Sequence, residues 1–174
     1  MKVRTIVLFN LIAMSLNANA QAREPSENQH LEKKNSIFSL PPFERAVCCI
    51  KYYEGMHRKK DYPYVGYGHK LLPGEHYSSN MSLTEADLLL RKDLKKFCGM
   101  FSAYGKDSLL LAALAYNVIL GSKKKYPKSN LLKKIETGIR DFKADYVQFC
   151  RWKGKKIPSI ERRRYMEWVL LYVP

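Results

Sequence analysis

Glu54-Gly55-Met56-His57-Arg58-Lys59-Lys60-Asp61-Tyr62-Pro63-Tyr64-Val65-Gly66-Tyr67-Gly68-His69 is the stretch from which the rest of the chain is read. A carboxylate opens it, a glycine follows at once, and an aromatic-and-glycine segment then brings polar groups back toward that carboxylate. This order describes an active site at the junction of a helix and a β element. Before it, Phe43, Ala46, Val47, Ile50 and Tyr53 recur at the spacing of one helical face after Pro41-Pro42. Gly55 accepts the left-handed backbone of a helix C-cap, so Glu54 is expected at the end of the first helix. Unpaired carbonyls there carry partial negative charge and favour the protonated carboxyl that a general acid uses. Lys51, His57 and Arg58 act in the opposite sense, and this residue alone fits a solvated glutamate paired with one of them at least as well. From Tyr62 to His69 the pattern predicts a short strand or hairpin, with Tyr64, Gly66 and Gly68 on one side and Val65, Tyr67 and His69 on the other.

Further along, Pro73-Gly74 turns the chain, and Ser82-Leu83-Thr84-Glu85 fits a capping box that opens a second helix with Ala86, Leu90, Leu94, Phe97 and Phe101 inward. Residues 108 to 120 are apolar nearly all round, which predicts a buried central helix ended by Gly121. Asn117 is its exception, either a ligand-facing amide or a satisfied buried one. Ser122 to Lys128 reads as a basic loop. Ser129 is expected to cap a short helix closed by Gly138, and Asp141 the next, with Phe142, Tyr146, Phe149 and Cys150 on its face. Pro158-Ser159 begins a last helix to about Tyr172, with Ile160, Met166, Val169 and Leu170 inward. Its Arg162-Arg163-Arg164 run lies within reach of Glu161 and Glu167. The sum is an α+β fold, mainly helical, with a small β-hairpin between helix one and helix two.

Residues 1–20 carry Lys2 and Arg4, an apolar run from Ile6 to Leu16 and Ala18-Asn19-Ala20, the pattern of a cleaved signal peptide. The run is too short to span a bilayer, so an exported protein, periplasmic or secreted and without stable membrane insertion, is expected. Residues 21–40 are polar and read as a flexible linker, leaving 41–174 as one domain, taken to be monomeric. Lys and Arg number 31 against 16 acidic residues; without Lys2 and Arg4 the formal charge falls from +15 to +13, which calls for an anionic partner. The cations are scattered over every segment rather than interleaved with aromatics on one face, which argues against nucleic acid. Cys48, Cys49, Cys98 and Cys150 match no zinc-site spacing; either disulfides or core thiols fit them.

Several of these segments together resemble the phage-type lysozymes, glycoside hydrolase family 24, also called endolysins or muramidases. Glu54-Gly55 resembles the family's catalytic Glu-Gly, and Val65-Gly66-Tyr67-Gly68-His69 its Ile-Gly-Tyr-Gly-His strand. Ser82-Leu83-Thr84-Glu85-Ala86 with Leu90-Arg91-Lys92-Asp93-Leu94 is similar to its Thr-Glu-Ala and Leu-Arg-x-Asp-Leu helix. Ala115-Tyr116-Asn117-Val118 resembles its Ala-Phe-Asn-Val, and Ser129-Asn130-Leu131-Leu132 its Ser-Thr-Leu-Leu. Gly154-Lys155, Pro158, Arg162-Arg163-Arg164 and Glu167 follow its C-terminal pattern.

The resemblance implies a lysozyme that cleaves the β-1,4 bond between N-acetylmuramic acid and N-acetylglucosamine in peptidoglycan, with Glu54 as general acid and no cofactor or metal. It implies glycan strands and an anionic cell-wall surface as partners, and makes His69, Tyr67 and Asn117 candidate substrate-binding residues and Arg163 a structural or groove residue. The family has a second acid and then a threonine between its glutamate and its strand. Here that connection is shortened, Tyr64 takes the threonine position, and Asp61 is the only carboxylate left. Asp61 either stands in for the second acid or is a turn residue beside Pro63. Without a second acid, Tyr64 or His69 positions the water, or the sugar's own hydroxyl closes an anhydro ring, as in a lytic transglycosylase. A non-catalytic peptidoglycan-binding module of an envelope apparatus is the remaining alternative.

Overall fold

A computed structural model describes residues 36–118 and 129–174. The chain divides into two compact units, Met1–Pro41 and Pro42–Pro174. The first shows a 3-10 helix at Ile37–Ser39, where the linker was expected to be irregular; Ser36 Oγ accepts from the Phe38 amide and starts the turn. The expected signal peptide, most of the expected linker, Gly121 and residues 122–128 lie outside the described residues.

The second unit is mainly helical, with a small antiparallel hairpin between its first two helices. Helix α1, Pro42–Glu54, begins on a proline, which suits a position whose N–H has no intrahelical partner. It buries Ala46, Val47, Cys49 and Ile50 and stops at Gly55, whose φ of 66° is the left-handed cap expected. The hairpin pairs β1, Tyr64–Val65, with β2, His69–Lys70, in the register Tyr64↔Lys70 and Val65↔His69. The alternating faces expected along 62–69 are therefore absent. Gly66 (φ 57°) and Gly68 (φ 94°) are left-handed and reverse the chain within three residues, so they make the turn instead of lining one side of a strand.

Helix α2, Leu83–Met100, starts with the reciprocal capping box: Ser82 Oγ accepts from Glu85 N and Glu85 Oε2 from Ser82 N, at 3.2 and 2.7 Å. Its expected stripe is buried throughout. Helix α3, Ser108–Val118, buries every residue from Leu110 to Tyr116 and packs against α1, α2 and the last helix, so it is the axis of the domain. Helix α4, Asn130–Glu136, is capped by Ser129 as expected. Helix α5, Lys143–Val147, is not capped by Asp141. The cap position falls on Phe142, whose fully buried ring packs edge-on against Trp168 at 5.2 Å, so aromatic burial sets where this helix begins. A second hairpin that the sequence did not suggest, β3 (Arg151–Trp152) with β4 (Lys155–Lys156), leads into α6, Pro158–Leu171.

Helix α6 corrects the expected inward face. Ile160, Met166 and Val169 are only half-buried, while Arg163, Arg164 and Glu167 are buried beside Leu170 and Leu171. Charged side chains occupy that face because they pair with one another there. All four cysteines are free thiols, with Cys49 and Cys150 serving the core.

The first hairpin is fastened to α2 by one histidine. Val65 packs with Met81, Ala86 and Leu89, and Met56 and Tyr67 cover that cluster. His69 is buried beside it, with Nδ1 bonded to Asp93 at 2.6 Å and Nε2 to Glu75 at 2.8 Å. Burial alone would lower its pKa, but the hydrogen bonds and charges of Asp93 and Glu75 more than offset this and raise it above 6.5. The Leu72 amide and then His69 hold Glu75 below its ordinary 4.5. The raised His69 contributes fully below 6.5 and less as pH climbs through its folded value; the lowered Glu75 contributes fully above 4.5 and less as pH falls through its own. The hairpin clamp is thus complete between 4.5 and 6.5. Urea unfolding across pH should show the native protein most stable relative to His69→Gln in that window, with the difference shrinking toward alkaline pH; a difference independent of pH would contradict the clamp.

Candidate active site

Glu54 sits where α1 ends, and three other elements converge on it. The hairpin turn lies against it: a Cβ added to Gly68 would meet Glu54 Oε2 at 3.4 Å, an ordinary contact, and it is the left-handed φ of 94° that calls for glycine here. From α3, Asn117 Nδ2 donates to Oε1 at 3.3 Å, and from α6, Arg163 Nη1 donates to the same oxygen at 2.5 Å. Oε2 accepts no hydrogen bond among the described residues. Glu54 is therefore oriented through one oxygen while the other stays available, and its side chain keeps 18% exposure, enough for a ligand to reach it.

The groups that hold Glu54 are themselves held. Arg163 Nε donates to Glu167 Oε1 at 2.8 Å, and Arg164 donates to Glu167 Oε2 and to the side-chain amide oxygen Oδ1 of Asn117. Tyr146 OH on α5 donates to Glu167 Oε2 at 2.7 Å, and its own ionisation is pushed far up by burial and by that carboxylate. The carboxyl groups of Glu54 and Glu167 thus supply hydrogen-bond acceptors to Arg163 and Arg164, which makes burial of the two guanidinium groups tolerable. Arg163 Nη2 is buried with neither of its two N–H groups partnered among the described residues.

The remaining sequence candidates are placed as follows. Asp61 Oδ2 accepts from the Arg58 amide at 2.8 Å and closes the 3-10 turn Lys59–Asp61; it makes no hydrogen bond into the Glu54 group. Tyr64 stands on β1 with its ring 5.9 Å from that of His57. Tyr67 gives its carbonyl to Tyr116 OH at 2.9 Å, which ties the turn to α3, while its ring packs on the Val65 cluster and lies 5.3 Å beneath Lys51 Nζ. His69 has both ring nitrogens committed to Asp93 and Glu75, so it orders the hairpin and has none left for a ligand.

Sequence reasoning missed Glu167 and Arg164 as supports of the acid, because both read as ordinary helix-surface charges. It also treated His57 only as a neighbouring cation. The His57 amide donates to Gly66 O at 2.8 Å, and its Nδ1 is buried without a partner, a placement that no spacing rule reveals.

Removing Glu167 would leave two buried guanidinium groups facing one carboxylate. Glu167→Ala should lower unfolding free energy by about 3–5 kcal/mol, measured by urea denaturation; a loss below about 1 kcal/mol, the scale of an exposed pair, would contradict the charge balance.

Comparison with curated proteins gives no match to this chain. The family model described as phage lysozyme matches residues 51–167, about two thirds of the 174. The match spans Glu54, the hairpin, Asn117, Arg163 and Glu167 alike. The chain belongs to the phage lysozyme family, and is thereby a peptidoglycan-acting glycoside hydrolase.

Proposed function

We propose that this protein cleaves the β-1,4 bond between N-acetylmuramic acid and N-acetylglucosamine with Glu54 as general acid. The observation that carries the reading is the asymmetry of Glu54: Asn117 and Arg163 fix Oε1, and Oε2 is left free beside the Gly68 backbone. A proton on Oε2 passes to the glycosidic oxygen as the C1–O bond breaks and oxocarbenium character develops on the sugar. Asn117 and Arg163 keep the carboxyl from rotating during transfer, and Gly68 bounds the space in which the leaving oxygen sits.

A lytic transglycosylase is the second reading, favoured by the turn-closing bond of Asp61 to Arg58 and by the lack of a second carboxylate bonded into the Glu54 group among the described residues. In that case the muramic acid C6 hydroxyl attacks C1, closes the anhydro ring and gives its proton back to Glu54. If water is used instead, Asp61 and Tyr64 are the candidates to position it, and the product carries a reducing end. The N-terminal segment points to export, which would bring the enzyme to the wall, where the basic chain is attracted to anionic material in a salt-dependent way. Among the described residues no helix is long and apolar enough to cross a membrane.

Mass spectrometry of muropeptides released from purified peptidoglycan tests both readings. Glu54→Gln should lower release by roughly 10²–10⁴-fold, and undiminished release would remove Glu54 as the acid. Reducing-end products that fall sharply in Asp61→Asn would establish hydrolysis with Asp61 managing the water. Anhydro products unaffected by Asp61→Asn would establish the transglycosylase.

A further inference from the structure

The hairpin Arg151–Lys156 takes no part in the Glu54 group, yet it carries an unusual surface. Trp152 is 66% exposed, and every residue from Arg151 to Lys156 is exposed. The register sets Trp152 opposite Lys155 and Arg151 opposite Lys156, so each pair shares one side of the two-stranded ribbon. One side is satisfied from within the protein: Lys156 pairs with Glu161 at 2.6 Å, and Arg151 donates to the Gly154 carbonyl at 3.2 Å. The other presents the Trp152 indole with the Lys155 ammonium beside it, and Lys153 stands at the tip; neither lysine has an ion-pair partner among the described residues.

The ribbon is held firmly at its base. Cys150 is buried, and the Ile157 amide donates to the Cys150 carbonyl at 2.8 Å, which extends the ladder into the domain. Lys153 keeps a left-handed backbone, φ 47°, next to Gly154 at 80°, so a non-glycine residue holds a conformation it seldom adopts in order to make this tight turn. Pro158 follows directly, and Arg163, which bonds Glu54, lies five residues further, about 7.5 Å along α6. The ribbon therefore projects from the end of the same helix that carries the acid's main partner.

An exposed indole flanked by two unpaired ammonium groups suits a ligand with an apolar face and carboxylates. Resting on the reading that the enzyme cleaves wall glycan, we propose that the Trp152–Lys153–Lys155 face binds the stem-peptide carboxylates of peptidoglycan, with the indole against the adjoining sugar or peptide. The interaction gives the enzyme a grip on peptide-bearing strands separate from the bond-cleaving cleft. Charge complementarity selects this occupant, and the lone indole supplies contact area that a purely solvated basic loop does not need.

The test is sedimentation of full-length protein, in a Glu54→Gln background that halts turnover, with sacculi stripped of phosphate polymers by hydrofluoric acid. Trp152→Ala should weaken binding about tenfold, a typical cost for truncating an aromatic anchor. Lys153→Gln with Lys155→Gln should weaken it and flatten its salt dependence, whereas Lys95→Gln with Lys96→Gln, which removes the same charge from the exposed face of α2, should cost less than about threefold. Capping the sacculus carboxylates with ethanolamine should erase the difference between the parent and the Lys153/Lys155 variant. Equal losses for the two lysine pairs would overturn the proposal, as would hairpin-dependent binding to phosphatidylglycerol vesicles but not to sacculi. Failure of the Glu54→Gln parent to bind, with no muropeptides released by the native protein, would instead remove the wall-cleaving reading on which the proposal rests.

Discussion

Arg164 and Glu167 are fully buried on α6, and an ion in that position costs several kcal/mol unless its charge and its hydrogen bonds are met. Arg164 Nε finds no partner among the described residues, but the bonds that do form fix the rest of the site. Glu167 uses one oxygen for Arg163 and the other for Arg164 and Tyr146; Arg164 then reaches Asn117, and Arg163 reaches Glu54. Four helices, α1, α3, α5 and α6, are thereby locked through charged and polar side chains that cannot separate without stranding a partner. The ion pair between Arg91 and Glu44, which ties α1 to α2, is bidentate but its side chains remain 30% and 35% exposed, and it contributes far less. The same network that stabilises the core holds Glu54 through its Oε1, while Oε2 accepts no hydrogen bond among the described residues.

The hairpin depends on a second polar constraint. Its strands are two residues each, too short to persist alone, and its place is set by Val65 in an apolar cluster, by Tyr116 on the Tyr67 carbonyl and by His69 between two carboxylates. Those anchors bring the Gly68 backbone against Glu54. The shortened connection before it is closed by the local Asp61 bond to the Arg58 amide.

What could be read from the residues was whatever local bonding dictates. Gly55 as a cap, the Ser82–Glu85 box, Ser129 and the all-apolar run of α3 each act within a turn of helix, so sequence spacing was enough. The inward face of α6 was not legible, because Arg163, Arg164 and Glu167 look like surface charges until Asn117 and Glu54, remote in sequence, come to meet them. Asp93 and Glu75 on His69 were hidden for the same reason, being 24 and 6 residues away. The Asp141 cap failed because burial of Phe142 outweighed a single hydrogen bond, and the Arg151–Lys156 hairpin escaped because its strands carry almost no apolar alternation. Of the candidate site residues, Asn117 donates to Glu54, whereas His69 and Tyr67 hold the turn.

The most direct test of the central claim, that Glu54 is the fixed acid of a glycan cleft, is a crystal structure of Glu54→Gln with a bound muropeptide tetrasaccharide. The account predicts a glycosidic oxygen within hydrogen-bond reach of the residue 54 side chain, beside the Gly68 backbone, with Asn117 and Arg163 still on the opposite side of that group. A glycan seated elsewhere, with residue 54 still shut in by its protein partners, would contradict it.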